Sequence, residues 1–171
     1  PATFSYASPV LIQIDGEEQF VLVTGDQIEG IAAVDGSRRW SFAWPEKGQT
    51  NVPTPLWLDD EYLLVAGQGA GGALLLRLAA EAPYVEQVWK TARLSYFFSN
   101  AVRHGDQIYA GDNFLYGLDW RLGKRLWAER GYKNANLIKV GDLLLLLDEA
   151  GTLTLAEIGD SGKDSDEDRG E

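Results

Sequence analysis

The protein has 171 residues, no cysteine, no methionine, and a formal net charge of −11 from 26 acidic and 15 basic side chains. The length is that of one domain, and the absence of cysteine excludes disulfide scaffolds, thiolate metal sites and cysteine nucleophiles. The acidity argues against a nucleic-acid surface, which neutralises phosphates with lysine and arginine, and no apolar run approaches the roughly 20 residues of a membrane-spanning helix.

Residues 8–45 read as a first unit of four short strands. Apolar segments at 9–14, 19–24, 29–34 and 38–43 are separated by turn signals, among them two Asp-Gly pairs. Aspartate-glycine is typical of hairpins, because glycine accepts a positive φ without a Cβ clash. Gly25 follows the second segment and Trp40 lies in the fourth. This pattern predicts an antiparallel four-stranded unit.

Two further units, at 54–92 and 99–130, repeat these landmarks. Gly67 and Gly111 follow the second segments, and Trp89 and Trp127 lie in the fourth. A four-strand period of about 43 residues, with no helix between, predicts an all-β chain built of β-propeller blades.

A fourth unit at 135–158 stops after three predicted strands. It is incomplete unless the N-terminal segment 2–6 pairs with 152–158. Since the repeats amount to fewer than four full blades, we expect a partial propeller. The remaining blades would come from a longer parent chain or from self-association. Residues 159–171 hold six acidic and two basic side chains and no large apolar one, which predicts a disordered acidic tail.

The third unit contains the most specific string, Tyr-Gly-Leu-Asp-Trp-Arg-Leu-Gly-Lys-Arg-Leu-Trp at 116–127. It resembles the pyrroloquinoline-quinone-like (PQQ-like) repeat, with Asp119, Gly123 and Trp127 at the positions of its aspartate, turn glycine and tryptophan. The first unit, with Asp35 and Trp40, is a version with a shortened turn.

This resemblance covers roughly residues 5–158 of the predicted repeat domain, 1–158, and points to the quinoprotein-type superfamily, which includes the BamB-like scaffolds of outer-membrane β-barrel assembly. It implies a non-enzymatic protein-interaction scaffold without a cofactor, located in the periplasm or cell envelope of a bacterium. We expect no nucleic-acid partner and no membrane insertion.

Two enzymatic alternatives remain open. A fragment of a PQQ-dependent dehydrogenase is the first, although the chain offers no cysteine pair and no alignable calcium ligand set. The second is a dinucleotide-binding domain, because Gly67 to Gly72 match G-x-G-x-x-G after an apolar strand. The register of the repeats favours a glycine-rich hairpin turn there. His104, the single histidine, has no partners for a catalytic triad.

The loops that join successive units are the candidate interaction surface, because binding groups concentrate on loops held by a rigid frame. The loop between the second and third units, residues 93–100, combines an arginine with three aromatic residues, which is the composition of an interface hot spot. Packing of Phe97 or Phe98 between blades is the alternative. We expect the double change Arg93→Glu and Tyr96→Ala to abolish partner binding without lowering the melting temperature. The candidate interaction residues are Asn51, Arg93, Tyr96, Phe97, Asn100, Tyr132 and Lys133.

Overall fold

The described residues form an all-β molecule, as the repeat pattern predicts. A computed structural model describes residues 5–44, 51–58, 61–67, 72–96 and 98–158. Over these ranges it contains fifteen strands and no helix. Accordingly, no helix in the described part of the chain is long and apolar enough to cross a membrane. The predicted acidic tail lies outside the described residues.

The strands form four small antiparallel sheets in chain order. The first sheet contains β1 (Val10–Ile14), β2 (Glu17–Val23), β3 (Gln27–Ala32) and β4 (Arg38–Ala43). The second contains β5 (Leu56–Leu58), β6 (Tyr62–Ala66), β7 (Ala73–Leu78) and β8 (Val85–Thr91). The third contains β9 (Ala101–His104), β10 (Gln107–Gly111), β11 (Phe114–Asp119) and β12 (Lys124–Arg130). The fourth contains β13 (Asn136–Val140), β14 (Leu143–Leu147) and β15 (Leu153–Glu157).

The sheets succeed one another as four blades of a β-propeller. The first strands of neighbouring blades lie next to each other, β1 beside β5, β5 beside β9 and β9 beside β13. Hairpins join the strands within each blade. In the first hairpin Asp15 and Gly16 have φ angles of 47° and 83°, the pair of positive values that a type I′ turn requires.

Three apolar clusters hold the four blades together, one between each consecutive pair. The first joins Ile12, Val21 and Trp40 to Leu63 and Leu76 of the second sheet. The second cluster lies between the second and third sheets, and the third lies between the third and fourth. Because side chains alternate between the two faces of a strand, the inner sheets bury both faces. In β6, Leu63 belongs to the first cluster and Leu64 to the second.

The strand–glycine–helix reading behind the dinucleotide-binding alternative is wrong, because the segment after the glycines is a strand rather than a helix. β7 pairs antiparallel with β6, with Ala66 opposite Ala73. Gly67 N–H donates to Gly72 O at 2.9 Å, so the glycine-rich segment connects the two strands of a hairpin. Residues 68–71 lie outside the described residues.

Within the described residues the fourth sheet has three strands, and β15 pairs with β14. The N-terminal segment lies near the loop before β5. There Ser5 Oγ and Tyr6 N–H both donate to Asn51 O at 2.8 Å. Residues 1–4, which belong to the segment predicted to complete the fourth blade, are not among those described.

Candidate functional site

The first and third blades share a tryptophan site that fixes the outermost strand. Trp40 Nε1 donates to Gln19 Oε1 at 3.0 Å across the sheet. Its indole lies over Gly30, which is its partner in β3; a Cβ there would lie 2.2 Å from Trp40 Nε1. Trp40 is 4% exposed and Gln19 is also buried, so the hydrogen bond satisfies two groups that have no access to water.

The third blade repeats this arrangement with different residue numbers. Trp127 Nε1 donates to Gln107 Oε1 at 3.2 Å, and a Cβ on Gly117 would lie 2.1 Å from that nitrogen. Both sheets also contain a register shift directly after the glycine. The two tryptophans were predicted from the repeat pattern, whereas their glutamine and glycine partners were not. A glycine ten residues before each of these tryptophans was the available signal.

The second blade replaces the glycine with Leu75, and its tryptophan therefore lies elsewhere. Leu75 is the β7 partner of Trp89. Trp89 Nε1 donates to Trp120 O of the third blade at 2.9 Å, and the indole packs over Gly123. Gly123 has a φ of 64°. Trp89 consequently links two blades, which agrees with its place against the second cluster.

Aspartates close the turns before the outermost strands. Asp119 Oδ1 accepts hydrogen bonds from the backbone N–H groups of Arg121 and Leu122, at 2.9 and 3.0 Å. Asp35 Oδ1 accepts from Ser37 N–H at 2.9 Å and from the Ser37 hydroxyl at 2.6 Å. The hydroxyl bond is the main reason why the pKa of Asp35 lies below its ordinary value. These side chains therefore stabilise turns.

The loops between blades bind neighbouring backbone through short polar side chains. Asn51 Nδ2 donates to Thr24 O at 2.8 Å. Asn100 Nδ2 donates to Leu137 O, and Leu137 N–H donates to Asn100 Oδ1, both at 2.8 Å. Gly67 and Gly111 permit the close approach of these loops, since a Cβ would lie 2.8 Å from Asn51 Oδ1 and from Ala135 O, respectively. Asn51 and Asn100 thus tie successive blades together.

Tyr96 lies inside the second cluster, 1% exposed, and not on the surface. Burial raises the pKa of its phenol, and its hydroxyl has no hydrogen-bond partner among the described residues. This placement assigns Tyr96 to blade packing, so the double variant with Tyr96→Ala is now expected to lose stability. Asn51 is fully buried as well, and Phe97 lies outside the described residues.

We expect Tyr96→Phe to leave the free energy of unfolding unchanged or to raise it by about 1 kcal/mol. The substitution keeps the ring and removes a buried hydroxyl for which the described part of the chain offers no partner, and desolvating such a group costs about 1–3 kcal/mol. Urea unfolding at a single protein concentration measures the difference. A loss of more than about 1 kcal/mol would show that the hydroxyl makes a stabilising bond.

The exposed part of the loops forms a shallow groove between the third and fourth blades, with a volume of about 290 Å³. Phe98, 61% exposed, lines it from the loop before β9. We call this the loop-edge groove. Its lining residues are Phe98, Asn134, Asn136, Leu147, Asp148 and Glu149.

An ion pair holds one rim of the loop-edge groove. Lys133 Nζ pairs with Glu149 Oε1, and Asn134 Nδ2 donates to Glu149 Oε2 at 2.7 Å. The Lys133 hydrogen bond is the main cause that lowers the pKa of Glu149, and the same bond raises the pKa of Lys133. On the other side, Asn136 Nδ2 donates to Phe98 O at 3.4 Å.

The remaining predicted loop residues lie near this groove or apart from it. Lys133 is exposed beside the groove, and Tyr132 is half-buried against the third cluster. Arg93 is exposed on the loop after β8. Across the described ranges, no group of three or more histidine, aspartate or glutamate side chains is arranged to hold a metal ion.

No family model matches the chain, and no curated protein matches it. Among solved structures, the computationally designed Ika4 protein is 11% identical with a TM-score of 0.64, covering 90% of this chain and 92% of that chain. The computationally designed Ika8 protein is 11% identical with a TM-score of 0.62, over 94% of this chain and 50% of that one. BamB from Moraxella catarrhalis is 14% identical with a TM-score of 0.44, over 91% of this chain and 59% of that one. The likeness to the two designed proteins is one of fold.

Proposed function

We propose that the protein is a non-enzymatic β-propeller scaffold that binds a protein partner at the loop-edge groove. The observation that carries this proposal is the position of Phe98. Its ring is 61% exposed in a groove whose walls come from the loops of two different blades. Interface hot spots are typically aromatic residues in a pocket surrounded by polar groups.

The polar rim supports the same proposal. Glu149 is held by both Lys133 and Asn134, so the rim is ordered before a partner arrives. Ordering in advance reduces the entropy lost on binding. The groove would accept an apolar side chain against Phe98 and Leu147, with hydrogen-bonding groups of the partner directed to Asn134 or Asn136.

The structural use of polar side chains favours a scaffold over an enzyme. Gln19 and Gln107 each bond a tryptophan, and Asn100 bonds the next blade. We further propose that the blades are of the PQQ-like type and that the location is the bacterial cell envelope. The turn roles of Asp35 and Asp119 support the blade type.

A photo-crosslinking amino acid at position 98, in the cells that produce the protein, tests the proposal. We expect one discrete protein adduct, identifiable by mass spectrometry, and its loss when Asn136→Ala and Glu149→Ala are added. The matched control carries the same probe at Val34, which is largely exposed in the turn before β4, remote in sequence from the groove loops. Adducts that are the same from both positions, or no adduct at position 98, would contradict partner binding at the groove.

A further inference from the structure

Two apolar sheet faces at the ends of the blade series have no sheet packed against them among the described residues. The first-end face lies on the first sheet and consists of Leu11, Phe20, Leu22 and Ile31. Glu29, the register partner of Leu22, lies on the same face and pairs with Arg38. The last-end face lies on the fourth sheet and consists of Ile138, Val140, Leu143, Leu145, Leu153 and Leu155. In each case the side chains are register partners on one face, as in the rows Leu11–Phe20–Ile31 and Ile138–Leu145–Leu155.

The first-end face is built like the faces that other blades bury. Phe20 corresponds in strand register to Leu63, Ile108 and Leu144 of the following blades. Those three side chains are 0%, 0% and 2% exposed, whereas Phe20 is 42% exposed. A position that is covered in three blades is therefore open in the first.

The last-end face shows the same contrast on the opposite side of a blade. Leu155 corresponds in register to Leu75 of the second blade. Leu75 is fully buried against the third blade, whereas Leu155 is 63% exposed. Exposed neighbours surround it, including Ile138 and Leu153. Contiguous apolar patches of this kind mark association surfaces.

Every internal interface joins one of these two face types to the other. In the second sheet, the face that holds Leu75 packs on the third sheet, against the face that holds Ile108. Leu75 corresponds in register to Leu155, and Ile108 corresponds to Phe20. None of the three clusters of the described residues joins the fourth sheet to the first. One chain thus presents both halves of a fourth interface without forming it.

We propose that a second copy of this chain covers both faces. The last-end face of each copy packs on the first-end face of the other, which closes a ring of eight sheets with two identical head-to-tail contacts. This proposal does not rest on the proposed function. Leu147 of the loop-edge groove is the register partner of Leu153, so the groove adjoins the last-end face along that row.

The area available is sufficient for such a dimer. Three strands of five residues cover a patch of about 14 by 17 Å, so two contacts bury roughly 1,000 Å² in projection, about the minimum for a specific interface. The likeness in fold to Ika8 is compatible with a larger ring, because this chain covers only 50% of the Ika8 chain. A fold of this kind therefore accommodates twice as much chain.

Sedimentation equilibrium of the full chain, with single and mixed variants, tests the proposal. We expect the wild type to have twice the mass of one chain. Phe20→Lys and Leu155→Glu should each weaken the dimer on the order of 100-fold, because each places an unpaired charge in an apolar contact. Leu122→Glu, at a largely exposed turn residue on neither end face, is the matched control and should leave the dimer intact.

Mixing the two variants identifies the geometry. In a head-to-tail pair, one contact of the mixture is wild type on both sides. The other contact brings the introduced lysine and the introduced glutamate to the same interface, where their charges are opposite. The mixture should therefore dimerise although neither variant does alone. Both replaced side chains are exposed within one chain, so far-UV circular dichroism should be unchanged.

Three outcomes would overturn the proposal. A wild type that is monomeric at every concentration would show that no second copy binds. Loss of the dimer with Leu155→Glu but not with Phe20→Lys would show that like faces pair. A mass that grows continuously with concentration would show an open chain of copies in place of a closed ring.

Discussion

Trp40→Ala should lower the free energy of unfolding by about 3–5 kcal/mol, the range for large-to-small core truncations. The indole is 4% exposed and packs in the cluster that joins the first two blades. Its removal leaves a cavity and also leaves the buried Gln19 Oε1 without the donor that it now has at 3.0 Å. Urea denaturation at one protein concentration measures the change, since self-association makes stability depend on concentration.

Two matched variants separate the contributions to this loss. Trp40→Phe retains most of the apolar contact and removes the N–H, so we expect it to cost less than Trp40→Ala. Trp127→Ala removes the equivalent side chain of the third blade, which is only half-buried beside an open groove between the third and fourth sheets. It should therefore cost less than Trp40→Ala. An equal or larger loss at Trp127 would show that burial does not set the difference.

The strand pattern of the blades was largely predictable from hydrophobic periodicity and turn signals. β4 begins and ends where the sequence predicts it. β3 was predicted at 29–34 but runs over Gln27–Ala32. The reason is local: Thr24 Oγ1 accepts Gln27 N–H at 3.0 Å and forms a tight turn, so the strand begins two residues earlier. Apolar periodicity does not contain such side-chain-to-backbone bonds.

The sequence predicts aromatic residues in the loops between blades, but it does not predict which aromatic rings point outward. Tyr96 and Phe98 lie two residues apart in one loop, yet Tyr96 is buried in the second cluster and Phe98 is largely exposed. No strand alternation applies in a loop, so contacts with residues distant in sequence decide which ring turns inward. The interacting loops of the third and fourth blades likewise meet only in the folded molecule.

The partners of the blade tryptophans were hidden for a related reason. Trp40 was recognisable as a repeated aromatic residue, but Gly30 gains its role only when β3 and β4 are placed in register. The end faces also required the structure. The five leucines of β14 do not distinguish the two faces of that strand, whereas the fold buries Leu144 and Leu146 and leaves Leu143 and Leu145 half-buried on the last-end face.

Gly30→Ala should destabilise the protein by about 3 kcal/mol, the upper range for overpacking in a core. A Cβ at this position would lie 2.2, 2.3 and 2.8 Å from three atoms of the Trp40 indole. That ring is enclosed between two sheets and bonded to Gln19, so it cannot move aside without breaking the cluster. Gly30 does not adopt a positive φ, so steric contact alone sets the cost.

In a protein that carries Trp40→Leu, Gly30→Ala should stabilise the fold instead of destabilising it. Once the indole is gone, the added methyl group meets no ring, and alanine is favoured over glycine inside a strand by about 0.5–1 kcal/mol. The double-mutant cycle should therefore show a coupling of about 3–4 kcal/mol, compared with the few tenths expected for independent sites. Gly117→Ala provides the matched case, with its Cβ 2.1 Å from Trp127 Nε1. Since Trp127 borders an open groove and its ring can shift, Gly117→Ala should cost less than Gly30→Ala. If Gly30→Ala were equally costly with leucine at position 40, the backbone of β3 and not the indole would be the cause.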